Sequence, residues 1–263
     1  MTMRPFLAAA RLGASRAAHE RASLIGQILI MLTLQISFGA IYRALPSAVL
    51  DSLGLNPALL MWYFTVTETM MIASFLPFKQ VQQDIRNGMV EIHLLRPVSY
   101  GGLFMAEAMG AYAARVVLLL VPCWGAAWLL ADGMWPWDGQ SLALVFPSLL
   151  MAGWIMNTVH FVVGCSTLWT GQSEPIFWLW QKCTFLLGAL LWPLVFFPDW
   201  LVRLAWMTPF PAMLATPAHM ALPGMKHAWI GGLTHQVFWS IVAFGVVMGM
   251  EGILLRRWQR QAG

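Results

Sequence analysis

The chain has 263 residues, of which 59% are hydrophobic and only 10% carry a charge. Because a soluble domain carries about 25% charged residues, this composition excludes a soluble nucleotide-binding domain, a disordered chain and a secreted disulfide scaffold. The net charge of +4 does not indicate nucleic-acid binding, since the basic residues stand at the ends of apolar runs and not in patches with aromatic side chains. This composition is typical of a membrane protein.

Six apolar runs are long enough to cross the bilayer core, which is about 30 Å thick, as helices. They cover about residues 23–45, 56–78, 102–131, 140–169, 175–195 and 229–255, with proline or glycine at nearly every boundary. The first run is longer than the apolar core of a cleavable signal peptide, so we expect it to be retained. The sequence therefore predicts an all-α integral membrane protein with six transmembrane helices in a single domain, residues 1–263.

Lysine and arginine are unevenly distributed between the two sides that these helices define. If both termini are cytoplasmic, the inner side carries Arg4, Arg11, Arg16, Arg21, Lys79, Arg86, Arg96, Arg256, Arg257 and Arg260, and the outer side carries only Arg43, Arg203 and Lys226. Because positive residues favour the cytoplasmic side of a membrane, this asymmetry predicts an N-in, C-in topology.

Polar side chains lie inside two of the predicted spans. Glu68 stands in the middle of the second span, and Asn157 and His160 stand three residues apart on one face of the fourth. A charged group at the centre of a membrane helix costs about 2.5–3.5 kcal/mol on insertion scales. These residues therefore either line a transport pathway or form hydrogen bonds between helices, and the pattern leaves both possibilities open.

The third and sixth spans carry features of close helix packing. Small residues recur every four positions, at Ala106, Gly110 and Ala114 in the third span and at Gly245 and Gly249 in the sixth. Such spacing lets two helix backbones approach closely. The third span also holds Glu107 and Arg115, which we expect to contact the cytoplasmic side and to be paired or snorkelling, respectively.

The segment between the second and third spans, residues 79–101, has its own pattern. Apolar Val81, Ile85 and Met89 recur every four residues among polar neighbours, which predicts a short amphipathic helix that Gly88 is free to end. Leu94, Leu95, Arg96 and Pro97 then form an extended break before the third span. The segment is either a loop on the membrane surface or a docking element for a cytoplasmic partner.

The outer segment before the last span, residues 196–217, is rich in proline and aromatic residues. Pro193, Pro198 and Pro209 each lack a backbone donor, and Trp200 stands between two of them. Broken helices are tolerated at membrane depth only where protein or water covers the backbone. The pattern favours a re-entrant pair of short helices over an ordinary interfacial loop.

Motifs for chemistry are missing from the sequence. It contains neither a phosphate-binding loop of the form G-x-x-x-x-G-K-[ST] nor an acidic metal cluster, and no G-x-S-x-G nucleophile elbow. The three cysteines lie in apolar runs without C-x-x-C spacing. We therefore expect a protein that is not an enzyme and binds no metal or cofactor of its own.

Two stretches resemble the permeases of bacterial ABC-type exporters, in the branch of six-helix permeases encoded apart from their ATPase. The first is Ile85-x-x-Gly88 followed by Leu94-Leu95-Arg96-Pro97. The second comprises Pro193-Leu194, Phe197-Pro198-x-Trp200, Thr208-Pro209-Phe210 and Pro217. The resemblance implies a bacterial inner-membrane protein that is half of a transporter.

The resemblance also implies partners and roles. Two permeases, identical or different, would pair within membrane lipid around a central pathway, and two cytoplasmic ATPase subunits would hold ATP and Mg²⁺. The residues that would meet the ATPase are Asp84, Ile85, Gly88, Leu94, Leu95, Arg96 and Pro97. Glu68, Asn157 and His160 would line the pathway of an amphiphilic or drug-like substrate, and Pro193, Pro198, Trp200 and Pro209 would close it outside. The alternatives are an ATP-independent secondary transporter or channel and, less in keeping with the sequence, an intramembrane enzyme.

Overall fold

The computed structural model describes residues 3–74, 76–95, 97–220 and 229–262. Within these ranges the chain is almost entirely helical and contains no β-strand, which confirms the all-helical prediction. The helices are α1 (Arg4–His19), α2 (Arg21–Arg43), α3 (Ser47–Ser52), α4 (Pro57–Ala73), α5 (Phe78–Arg86), α6 (Met89–Leu94), α7 (Tyr100–Leu119), α8 (Gly125–Leu130), α9 (Gly139–Cys165), α10 (Thr167–Thr170), α11 (Glu174–Leu187), α12 (Asp199–Trp206), α13 (Phe210–Met213), α14 (Ala215–His219) and α15 (Trp229–Ala262). A π-helical turn, Leu120–Trp124, joins α7 to α8.

Five stretches of the described chain are long and apolar enough to cross a membrane. They are Arg21–Arg43, Pro57–Arg86, Tyr100–Leu130, Ser141–Thr170 and Ile230–Arg257. These stretches correspond to the first four predicted spans and the sixth. The predicted fifth span is not among them.

The predicted fifth span, 175–195, forms a shorter helix than its apolar length suggests. Helix α11 has 14 residues, about 21 Å at 1.5 Å per residue, and the chain turns at Ala189, whose φ is +57°. Hydroxyls from α2 and α4 take up the carbonyls that the break leaves free: Tyr63 donates to Ala189, Thr67 to Leu190 and Tyr42 to Leu191. These three carbonyls are therefore paired inside the protein where the chain leaves the helix.

Helix α4 forms the centre of the bundle. Its residues from Leu59 to Met70 are all buried, and α2, α7, α9 and α14 pack around it. Near its start Trp62 is fully buried and lies 4.7–5.9 Å, between ring centroids, from the indole rings of Trp124, Trp135 and Trp137. Its indole nitrogen donates to the carbonyl of Met134 at 2.9 Å.

Helix α1 packs along the first half of α7. Phe6 lies beside Gly102, and Glu20, just after α1, reaches Arg115 at 3.2 Å, so the two helices run in the same direction. A Cβ atom at Gly110 would overlap the carbonyl oxygen of Ala10, which confirms the close packing predicted for the third span.

The charged residues of the third span are paired across this contact. Arg16 of α1 forms an ion pair with Glu107, and Glu20 forms one with Arg115. The sequence predicted only a basic lead-in at α1. The structure thus gives both charges of the third span a partner in the segment before the first span.

The bundle has two ends. One end, which we call the α5 end, joins α5, the start of α7 and the last part of α15, where Ser99 donates to Glu251 at 2.5 Å. At the opposite end Arg43 donates to the carbonyl of Leu130 at 2.6 Å. Lys79 and Arg86 of α5 therefore lie at one end and Arg43 lies at the other, while Arg96 and Lys226 lie outside the described residues. The assignment of the α5 end to the cytoplasm stays a prediction.

Candidate functional site

The predicted amphipathic helix corresponds to α5, which ends at Arg86 just before the predicted stop at Gly88, and a second short helix, α6, follows it. Gly88 separates them and adopts the left-handed conformation, with φ +69°. Glycine adopts this conformation without the steric cost that a Cβ atom brings. Because the chain changes direction there, the apolar faces of α5 and α6 are not continuous.

The apolar face of α5 lies on α9 and α11. Val81 is fully buried, and a Cβ atom at Gly164 of α9 would lie 2.5 Å from the Cβ of Val81. Phe78 stacks on Phe177 of α11 with ring centroids 4.4 Å apart. Helix α5 therefore rests directly on two neighbouring helices.

The polar face of α5 is bonded to the turn between α10 and α11. The side-chain oxygen of Gln82 accepts from the backbone and hydroxyl of Ser173, and its nitrogen donates to Glu174 at 2.9 Å. The guanidinium of Arg86 donates twice to the carbonyl of Gly171, at 3.1 and 2.7 Å. The hydrogen bond from Gln82 holds the pKa of the Glu174 carboxyl below its usual value, so Glu174 is ionised at neutral pH.

Asp84 and Ile85, which were predicted to meet the ATPase, instead contact other parts of this chain. The carboxylate of Asp84 accepts from the hydroxyl of Tyr100 at 2.9 Å. Ile85 is partly buried against the cluster that contains Val90 and Tyr100. Both side chains thus connect α5 to the segment that follows it.

The exposed apolar surface of this segment is instead formed by α6 and the residue after it. Met89, Ile92 and Leu95 are 40%, 49% and 70% exposed, and we call these three residues the α6 patch. Pro97 is also exposed. Arg96 lies outside the described residues, and the side chain of Leu94 is not described. Met89, Ile92 and Leu95 are spaced three residues apart. This spacing, considered for α6 alone, could have predicted the α6 patch from the sequence.

A cavity of about 250 Å³ lies between α4, α5, α9, α11 and α13. Aromatic and sulfur-containing side chains form most of its wall, with a few hydrogen-bonding groups among them: Met71, Ser74, Phe78, Met156, His160, Phe177, Trp178, Trp180, Gln181, Thr184 and Met213. Lys79, which is exposed, and Glu174 also line it. The cavity therefore reaches the α5 end of the bundle.

The structure brings only one of the predicted pathway residues to this cavity. His160 lines it, and its ring nitrogen Nδ1 lies 3.3 Å from the hydroxyl of Ser74. Asn157 is buried against α7, where its amide donates to the sulfur of Met109 at 3.6 Å. Glu68 is 8% exposed, and its Oε2 has no hydrogen-bond partner among the described residues.

The predicted outer gate residues occupy different environments. Pro193 is buried and Pro209 is partly buried, whereas Pro198 is exposed and Trp200 is 66% exposed. The buried part of the outer segment comes later, because every residue from 210 to 220 is buried.

The later part of the outer segment is held between the long helices. Gln236 of α15 donates to the carbonyls of Ala212 and Ser148, at 2.9 and 2.8 Å. His219 of α14 lies 5.8 Å from the ring of Tyr63 in α4. Sequence reasoning missed His219 because nothing in its local pattern sets it apart from the neighbouring turns.

Among the described residues, no group of three or more His, Cys, Asp or Glu side chains could hold a metal ion. The family described as ABC-2 family transporter protein matches residues 26–261, nearly the whole chain. The match begins within α2, so α1 precedes it. No curated protein and no solved structure shows a significant match.

Proposed function

This chain belongs to the ABC-2 family of transporters, and from that premise we propose that it is the permease subunit of an ATP-driven exporter. The chain is a multi-pass membrane component of a transporter, in a family whose permeases lack the nucleotide-binding domain. In the proposal, two cytoplasmic ATPase subunits hold ATP and Mg²⁺ and dock at the α5 end. A second permease, identical or different, completes the pathway in a bacterial inner membrane.

The observation that carries the proposal is the α6 patch. Its apolar side chains are exposed on α6, while the preceding helix α5 exposes polar side chains such as Lys79 and Gln80. A small apolar group with a polar surround is the usual form of a protein contact, because a few desolvated anchors supply most of the binding energy. The polar side chains that α5 exposes favour a water-soluble partner, here the ATPase, over the lipid core.

The cavity suits the cargo of such an exporter. Trp180 and Phe177 offer flat apolar surfaces, and His160 and Ser74 offer hydrogen bonds at one point of the wall. This combination fits an amphiphilic molecule with an aromatic or apolar body and a polar group. The buried outer segment, residues 210–220, would close the pathway at the opposite end.

The test of the proposal is to place a charge in the α6 patch. We expect Leu95→Asp to leave a folded, inserted permease that loses its ATPase in detergent, because an unpaired charge in a desolvated contact is costly. Loss of one anchor lowers affinity about tenfold or more. Substrate-stimulated ATP hydrolysis should be lost in the same preparation.

The matched control is Gln83→Asp, which adds the same charge to an exposed polar position of α5. We expect this variant to retain the ATPase. If the Leu95→Asp protein still co-purifies with a fully stimulated ATPase, the α6 patch is not the docking surface. If the wild-type chain transports without any ATPase, the exporter assignment is wrong and an ATP-independent transporter replaces it.

A further inference from the structure

Helix α5 and the turn before α11 share a compact set of hydrogen bonds, which we call the clamp. Gln82 and Arg86 supply it from α5, and Gly171, Ser173 and Glu174 supply it from the turn. Gln82 is 5% exposed and Ser173 is fully buried. The Gln82–Ser173 pair of the clamp is therefore buried, whereas Arg86 and Gly171 are exposed, and the bonds are directional.

The turn held by the clamp leads directly into a wall of the cavity. Ser173 precedes α11, and its carbonyl accepts from the backbone of Phe177, one helical turn later, at 2.9 Å. Six residues of α11 line the cavity: Glu174, Phe177, Trp178, Trp180, Gln181 and Thr184. A displacement of α5 that carries Ser173 with it must also move this wall, because a helical turn transmits motion as a rigid unit.

The contact of α5 with α9 is of a different kind. Val81 meets Gly164 through apolar surface, and Phe78 lies at the same side of α5 beside His160, with ring centroids 6.2 Å apart. Apolar contacts are not directional, so they allow one helix to slide over another. The hydrogen bonds of Gln82 to Ser173 and Glu174 do not allow this freedom between α5 and the start of α11, whereas Arg86 bonds to Gly171 at the end of α10.

We propose that Gln82 is a positioning residue that makes α5 and the start of α11 move as one body, so that the ATPase changes the width of the cavity through the clamp. The proposal rests on the proposed function, because it takes the α6 patch as the point where the ATPase acts. It adds the route from that patch to the cargo cavity.

The test compares neighbouring glutamines of α5. Gln82→Ala removes the clamp bonds to Ser173 and Glu174, whereas Gln83→Ala changes an exposed side chain on the same helix. Each permease is reconstituted with its ATPase in liposomes, and ATPase retention, basal hydrolysis and cargo transported per ATP are measured. We expect Gln82→Ala to retain the ATPase and basal hydrolysis but to lose at least tenfold in cargo per ATP, with Gln83→Ala unchanged.

A second measurement separates coupling from simple loss of structure. Gln82→Cys and Glu174→Cys are combined in a chain whose cysteines, Cys123, Cys165 and Cys183, are replaced by alanine. Joining the two new thiols with a flexible bismaleimide should restore cargo transported per ATP, because the link replaces the clamp. If the clamp only stabilises the fold, the cross-link should raise the thermal midpoint of the double-cysteine protein without restoring cargo transported per ATP.

The outcomes are distinct for the two proposals. Wild-type coupling in Gln82→Ala, or a joined pair that stays uncoupled, overturns the clamp while ATPase docking stands. A wild-type chain that transports without an ATPase overturns the proposed function, and the role of the clamp with it.

Discussion

Helices α4 and α15 are both apolar, but their surroundings differ sharply. In the apolar part of Pro57–Arg86, the stretch that contains α4, 76% of the residues are buried by the protein. In the apolar part of Ile230–Arg257, within α15, the buried share is 17%. The mean hydropathy runs the other way, at 1.4 for the first and 1.9 for the second. Burial within the protein therefore follows packing and not hydropathy, since lipid is as apolar as the helix surface that it covers.

The residues of the two helices show the same difference. Thr65, Thr67 and Glu68 lie in the enclosed middle of α4, where other helices can meet polar groups. Helix α15 instead exposes Phe238 and Ile241, at 57% and 68%. In the proposed exporter, this surface of α15 would face lipid or the second permease.

The strongest test of this comparison is a pair of aromatic truncations. Trp62→Ala in α4 should lower the free energy of unfolding by about 3–5 kcal/mol, because it opens a cavity within packed indole rings. Phe238→Ala in α15 should cost far less, since its ring is largely exposed. Unfolding in detergent measures both, and equal losses would contradict the comparison.

Two glycines in apolar helices, Gly110 and Gly245, test the effect of close packing, because only Gly110 lies against another described helix. Gly110→Ala places a methyl group against the backbone of α1 and should cost about 1–3 kcal/mol or more. Gly245→Ala meets no atom within 4 Å and should be neutral or slightly stabilising, because alanine favours helix. Thermal midpoints of the purified variants measure this difference. If Gly245→Ala lowered the thermal midpoint, another molecule would have to contact α15 at this position, because no atom of the described chain lies close to it.

Glu68 tests whether the enclosed polar side chain of α4 acts in transport. Glu68→Gln keeps the shape and hydrogen-bonding capacity and removes any charge. We expect stability within about 1 kcal/mol of wild type, while transport of a cationic cargo falls and transport of a neutral analogue holds. Uptake into inverted vesicles measures both cargoes. Equal transport of both by the variant would leave a packing role for Glu68.

The smallest effect is expected on the open face of α15. Ile241→Ala should change the stability of the dispersed chain by less than about 0.5 kcal/mol, because little protein contacts the side chain. Native mass spectrometry of the same sample measures whether the chain is a monomer or a pair of permeases. A stability loss like that of Trp62→Ala would show that α15 is enclosed after all.

Much of the fold could be predicted from the sequence because lipid selects for apolar length. The first four spans and the sixth follow from runs of about 20 or more apolar residues, and the α5–α6 segment follows from its four-residue spacing. The fifth span could not be predicted in this way. Its break depends on hydroxyls of Tyr42, Tyr63 and Thr67, which are distant from it in the sequence.

The candidate site shows a similar limit. The spacing of Val81, Ile85 and Met89 suggests one continuous apolar face, and on that basis Ile85 is the natural anchor. The left-handed turn at Gly88 redirects the chain, so Ile85 lies against Tyr100 while Leu95 is exposed. The partners of Gln82 could not be found from the sequence, because they lie about ninety residues further along the chain.

The pairing of α1 with α7 has a consequence for biosynthesis. Arg16 and Glu107 are separated by 91 positions, so α1 leaves the ribosome long before its partner exists. Until then Arg16 and Glu20 lack their partners from the third span. When α7 enters the translocon, Glu107 and Arg115 would be costly to insert alone, and Arg16 of α1 and Glu20 just after it supply their counter-charges. Deleting residues 4–20 should therefore impair insertion of the third span during synthesis, before any question of folding in the finished protein arises.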